Sequence, residues 1–307
     1  MDNLNFLKTG YQESEHPLNE NLYNLRKLIL NSFKQINTPK NLKIHEINDK
    51  ELLSKIFSIF FNSTIIKFLH NLSETTNTNV TVLPPFAIMK DYHVNRRLSN
   101  SLGWHRDCGG ELLYPSCVDK LKEKNYVFGK IGIYLQHNND FGGSIDIIPF
   151  SQTFINKNYF SKKLSNLSLH LIQKFYKINK KLYCKISEKN YLRLINGKSI
   201  QADPLTPVFF DSRIYHRATP ISDKNISKIN KISDFHYDIK DQENKIALYA
   251  HFGNSIGAES YLYDRTKRTK NKEELEIWSQ HINMMKNYSE NLYYNANKIF
   301  KEINQQL

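Results

Sequence analysis

Between about residues 80 and 253 the chain is cut into short apolar or alternating runs, and this texture limits what it can fold into more than any other feature. The runs fall at 80–83, 86–92, 130–135, 144–148, 207–210 and 245–252, bounded by Gly, Pro, Asn and Asp. Runs of this length suit strands better than helices, and the turn residues between them let the chain reverse. An antiparallel sandwich or barrel is expected. The flanks read differently. Within 17–75, Leu22, Leu25, Leu28 and Leu30 mark one helical segment, and ELLSKIFSIFF from Glu51 begins a second at helical spacing. From 272 to 303 helical spacing returns, with Leu275, Trp278, Ile282 and Met285 on one face. The expected class is therefore α+β with a mainly β core. Residues 1–307 are read as one domain: helical support at 1–79, the core at 80–253 and a helical extension at 254–307. Two stretches interrupt the core. Residues 154–200 carry an expected helix at 162–177 and a short apolar run at 191–195, and residues 221–244 are polar without a period, as a lid over a site would be.

Composition narrows the function classes. A hydrophobic content of 40% and an aromatic content of 12% belong to a globular chain that can bury a core. The longest apolar stretch, near 52–72, is broken by Ser, Lys, Asn and His, so no membrane span is expected. No basic start followed by an apolar stretch opens the chain, and its three cysteines (Cys108, Cys117, Cys184) lack zinc-type spacing. A reduced, cytoplasmic setting is expected. The formal charge of +13 is spread through a Lys-rich chain without the motif of any nucleic-acid module. A small-molecule substrate, anionic or carrier-linked, uses that potential more economically than nucleic acid. Nothing in the sequence specifies an oligomeric state.

The chemistry concentrates in GWHRDCGG, residues 103–110, where His105 and Asp107 stand two apart. On a strand they share a face. A third candidate ligand ends the apolar run in FFDSRIYHRATP, at His216. Two imidazoles and one carboxylate on one face of an octahedron make the site of non-heme Fe(II) oxygenases, with three positions open: two for a bidentate co-substrate and one for O2. Taken alone, His-x-Asp is equally compatible with a loop histidine bonded to its neighbour. The same three ligands would also serve a cupin-like metalloprotein performing isomerisation or hydrolysis, and without metal the core would be a silent β-sandwich binding a partner.

Four segments in this order give the chain a resemblance to the phytanoyl-CoA dioxygenase-like branch of the Fe(II)/2-oxoglutarate-dependent oxygenases. They are GWHRD, KIGIYLQHNNDFGGSIDIIPFSQ, PVFFDSRIYHRATP and KIALYAHFG. The resemblance implies a double-stranded β-helix (a cupin-like jelly roll) with His105, Asp107 and His216 as catalytic iron ligands. It also implies 2-oxoglutarate and O2 as co-substrates, succinate and CO2 as co-products, and hydroxylation of an unactivated C–H as the default outcome. A carboxylate at Asp107 argues for hydroxylation or desaturation over halogenation. The family's arginine for the distal carboxylate of 2-oxoglutarate has no counterpart at the usual distance. The strand that should carry it begins at Lys245, which is the expected anchor, with Arg217 and Lys130 as alternatives. Tyr134 and Gln136 alternate with Ile133 and Leu135 and are expected to donate hydrogen bonds to the co-substrate, as is Thr219. Asp211 and Arg213 read as a structural pair, and His93, His236 and His251 as spare histidines.

Overall fold

The computed structural model describes residues 4–36, 41–91, 93–94, 103–108, 115–136, 144–156, 171, 188–200, 203–220, 232–233, 236–237, 245–269 and 272–307. In chain order the helices are α1 (Leu4–Thr9), α2 (Leu22–Ile36), α3 (Lys50–Phe60), α4 (Ser63–Thr76), α5 (Pro115–Lys122), α6 (Glu188–Leu194), α7 (Ser255–Thr269), α8 (Glu273–Met285) and α9 (Glu290–Asn304). The strands are β1 (Tyr11–Glu13), β2 (Asn41–Lys43), β3 (Thr81–Asp91), β4 (His93–Val94), β5 (Phe128–Tyr134) and β6 (Ile145–Ile148). They continue with β7 (Lys198–Ile200), β8 (Pro207–Asp211), β9 (Tyr215–Ala218), β10 (Ile232–Ser233), β11 (His236–Tyr237) and β12 (Lys245–Gly253).

Six strands form one antiparallel sheet in the order β1-β8-β5-β12-β3-β2, and three form a smaller one, β7-β6-β9. His105 extends the smaller sheet by bridging His216 on the free side of β9. From β3 onward the chain crosses repeatedly between the two: β3 large, His105 small, β5 large, β6 and β7 small, β8 large, β9 small, β12 large. Alternation divides the large sheet's side chains. Tyr134, Val208, Phe210 and Ala247 meet Ile145, Ile147 and Ile200 of the small sheet in one buried cluster. Ile131, Ile133, Phe209, Ile246 and Leu248 face the other way, into the core shared with the helices.

Those helices begin where the sequence supplies caps. Asp49 accepts from the Glu51 and Leu52 amides ahead of α3, Asn62 from Thr64 ahead of α4, and Ser289 from Leu292 in α9. Behind the caps, α3 buries Leu52, Leu53, Ile56, Phe57, Ile59 and Phe60, each contributing about 1.5–3 kcal/mol by leaving water. No single helix among the described residues is long and apolar enough to cross a membrane.

Several expectations change. The N-terminal region is not purely helical, because β1 and β2 add edge strands to the large sheet. The runs at 80–83 and 86–92 meet in one strand, β3 (Thr81–Asp91), which continues through Pro84-Pro85, residue 92 lying outside the described residues. Prolines donate nothing to a ladder, and here the register with β12 slips: Tyr249 faces Ala87, whereas His251 faces Leu83. The polar stretch 221–244 contributes β10 and β11, which pair with each other, and β11 also pairs with β4. The run near 191–195 belongs to helix α6. Of the helix expected at 162–177 only residue 171 is described.

One unexpected feature ties α8 to β3. The amide of Phe86 donates to Nδ1 of His281, 3.0 Å away and fully buried. Since an amide only donates, Nδ1 carries no proton and Nε2 does; Nε2 then donates to Nδ1 of His45 at 2.9 Å. Both rings must be neutral for this chain of bonds. Burial, with His45 and Lys43 nearby, pushes the His281 pKa down to about 3; burial also lowers His45, against the pull of Glu46 and Glu273. A histidine with a depressed folded pKa stabilises fully above its unfolded value, and that contribution is lost on acidification. Stability is therefore expected to fall as pH drops from about 6.5 toward about 3. His281→Phe should flatten that slope in urea titrations, while costing about 1–3 kcal/mol at neutral pH for the stranded amide. A mutant with an unchanged acid slope would refute the relay.

Candidate metal centre

The site is assembled where β8 turns into β9. Asp211 grips Arg213 in a two-bond fork, Oδ1 to Nε at 2.9 Å and Oδ2 to Nη2 at 2.6 Å. The guanidinium also donates to the Leu121 carbonyl and stacks 4.0 Å from the Tyr126 ring centroid. Asp-x-Arg is thus a structural pair that fixes the turn. The turn holds the GWHRD segment by its backbone. The Asp107 and Cys108 amides both donate to the Ser212 carbonyl, and His105 and His216 exchange amide-to-carbonyl bonds at 3.0 and 2.9 Å. In this way residues a hundred positions apart become cross-strand neighbours.

His105, Asp107 and His216 each offer a ligand atom, and the three atoms lie within 4.8 Å of one another. The Nδ1 of His105 lies 2.8 Å from the Gly103 carbonyl and that of His216 3.2 Å from the Ile214 carbonyl. A carbonyl only accepts, so each Nδ1 bears a proton, which leaves Nε2 as the ring nitrogen that can ligate. Gly103 adopts φ +73°, a conformation side chains rarely take, in the step that leads its carbonyl to His105. Burial lowers His216 to a pKa of about 4, against the pull of Asp107, so the ring is neutral at physiological pH. Burial alone would raise the Asp107 carboxyl. The Lys130 ammonium beside it outweighs burial and holds the group well below the usual carboxylate range. A neutral His216 imidazole and an ionised Asp107 carboxylate are protonation states a divalent cation requires of its ligands. Mixed N/O donors without thiolate suit ferrous iron.

Beside the triad runs the inner face of the β5/β12 pair. At one end Lys130 Nζ lies 2.8 Å from Asp107 Oδ2. At the other, Lys245 begins β12, two residues before the Ala247–Tyr134 pairing. Its side chain is buried, with Nζ 3.5 Å from the Ser144 carbonyl and 5.7 Å from the Tyr134 ring centroid. Tyr134 and Tyr249 stand between the two lysines, meeting edge-on with centroids 6.2 Å apart. Gly132 leaves room for them, since a Cβ there would sit 3.2 Å from the Tyr134 hydroxyl and 3.3 Å from the Tyr249 ring. Burial pushes the Tyr134 phenol well up, so it stays a neutral donor.

The remaining expected contacts lie elsewhere. Arg217 follows His216 and alternation turns it to the other side of β9. There its Nε and Nη2 each lie 2.9 Å from Asp146 Oδ2, with the guanidinium between the Trp104 and Tyr191 rings. Thr219 donates to Asp146 Oδ1 at 3.0 Å on that same side, so neither residue stands on the His216 face. The Gln136 side-chain oxygen accepts from the Ile246 amide, stitching β5 to β12. Trp104 donates to the Tyr191 hydroxyl at 2.6 Å, a packing role beside the ligand loop. His251 stands opposite Lys130 in the unbroken β5–β12 register, so alternation keeps it on the Lys245 face, at the Lys130 end, where it packs against Phe128 and Tyr261. Asp146 and Tyr249 were not singled out as site residues. Alternation around Ile145 and Ile147 could have revealed Asp146 as the acceptor for β9.

No protein-family model matches the chain, and no curated protein matches it. Among solved structures, EctD from S. alaskensis with 2-oxoglutarate and 5-hydroxyectoine superposes with a TM-score of 0.44 at 11% identity, covering 82% of this chain and 75% of that one. The non-heme alpha ketoglutarate dependent epimerase SnoN from nogalamycin biosynthesis gives 0.42 at 8% identity, with coverages of 82% and 81%. AviO1 from Streptomyces viridochromogenes Tue57 gives 0.44 at 8%, with coverages of 82% and 93%. Superpositions this loose carry neither fold nor activity over to this chain.

Proposed function

We propose that the chain is an Fe(II)/2-oxoglutarate-dependent oxygenase of the phytanoyl-CoA dioxygenase-like kind, acting in the cytoplasm as one domain, residues 1–307, on a small molecule. The observation that carries this reading is the convergence of His105, Asp107 and His216, with each histidine Nδ1 bonded to a backbone carbonyl. Strand order adds support. With the His105 segment counted second, the eight core strands fall in the orders 1-8-3-6 and 2-7-4-5, the alternating path of a double-stranded β-helix.

His105, Asp107 and His216 would hold the iron. Bound together with 2-oxoglutarate, ferrous iron supplies the activation of O2 and the oxidation of an unactivated C–H, with succinate and CO2 as co-products. The protein's own groups do the positioning. Lys245, a buried cation at the far end of the β5/β12 face, would pair with the distal carboxylate of 2-oxoglutarate, and the neutral Tyr134 hydroxyl would donate a second bond. A lysine offers a charge and rotating donors without the planar fork of an arginine, so the pairing is less directional. Val208, Phe210, Tyr249 and Ala247 wall the same face and keep water from it. An intact carboxylate at Asp107 favours hydroxylation or desaturation over halogenation, with hydroxylation as the default outcome.

Anaerobic loading with Fe(II), followed by O2, ascorbate and 2-oxoglutarate, tests the proposal. Succinate should form only when metal, O2 and co-substrate are all present. Metal binding without O2 uptake would replace the reading with a cupin-like metalloprotein, and absence of metal binding would leave a silent β-sandwich.

A further inference from the structure

Asp107 Oδ2 is claimed twice. It lies 3.5 Å from His216 Nε2, so it is a carboxylate oxygen turned toward the triad's centre. The same oxygen lies 2.8 Å from Lys130 Nζ. Both side chains are withdrawn from water, 7% exposed for Asp107 and 20% for Lys130, so solvent screens little of the interaction between them. A divalent ion bound through this oxygen would meet an ammonium on the same atom, at short range and with like charge. Lys130 has somewhere else to go, because its Nζ is already 5.9 Å from the centroid of the Tyr249 ring, whose face attracts a cation.

We infer that Lys130 competes with the metal for Asp107 Oδ2, holding the carboxylate in place before loading and weakening the metal's grip on it afterwards. The inference rests on the metal site proposed above. It assigns Lys130 a positioning role distinct from that of Lys245, although both are lysines on one inner face. It also gives the site a graded affinity, since the metal gains only the difference between its own attraction for the carboxylate and that of the ion pair it displaces.

The test is calorimetric titration of Co(II) into chelator-stripped protein, with urea unfolding of the stripped form alongside. Lys130→Met removes the charge at similar length and should tighten Co(II) by about tenfold or more, while the stripped protein loses stability because its buried carboxylate has lost its partner. Lys130→Gln, which keeps a donor without charge and tolerates burial beside Asp107, should tighten Co(II) in the same direction. Lys130→Arg should stay near the parent. Unchanged or weaker binding in both neutral variants would overturn the inference while leaving the metal site standing, provided the parent binds and His216→Ala does not. Failure of the parent and both neutral variants to bind, with the fold intact by circular dichroism, would overturn the metal site and the inference together.

Discussion

Replacing His216 by alanine is expected to abolish iron retention while leaving the two sheets in place. His216 has the most determined geometry of the three candidate ligands. Its amide and carbonyl are paired with His105, its Nδ1 is engaged by Ile214 and its ring packs against Phe210. Alanine keeps the backbone pairs and removes the imidazole, its Nε2 lone pair together with its contacts to Ile214 and Phe210, so the site falls from three protein ligands to two. Disturbing groups that merely orient a ligand costs 10- to 100-fold in affinity, so losing a ligand itself should cost more than about 100-fold. His105→Ala should behave alike. The measurement is iron bound per chain after anaerobic reconstitution and desalting, with circular dichroism as the fold control. Iron content equal to the parent in either variant would end the metal assignment.

Lys245→Ala is expected to spare iron and to raise the concentration of 2-oxoglutarate needed for half-maximal succinate formation. A charge-assisted hydrogen bond lost at a buried site is worth about 1.5–3 kcal/mol, a rise of about 10- to 100-fold. Lys130 and Arg217 were the alternative anchors from sequence, and both are engaged with carboxylates of the protein itself. A half-saturation unchanged in Lys245→Ala would show that the distal carboxylate is held elsewhere.

The parts of the site legible in the sequence are those in which residue type alone carries chemistry. His-x-Asp and a distant histidine at the end of an apolar run are unusual as a set, and period-two alternation put His105 and Asp107 on one face without any structure. Strand positions were legible for the same reason: β5, β6, β8 and β12 lie where apolar runs meet turn residues. What Thr219 and Gln136 touch was not legible, for a different reason. Their own strands did not decide what they touch. A partner strand did, offering Asp146 to Thr219 and an unpaired Ile246 amide to Gln136. The edge strands β1 and β2 escaped because three residues are too few to show a period.

By itself the sequence determined the alternation of faces, the sites of reversal and the inventory of ligands and charges, because these depend on neighbours a few residues apart. The tertiary structure alone decided register: which lysine met Asp107, which began the far end of the face, and that Arg217 turned away from His216 to Asp146. Register is a sum over pairings between distant strands, and a shift by one residue exchanges every inward side chain for an outward one. No short window of sequence contains that sum.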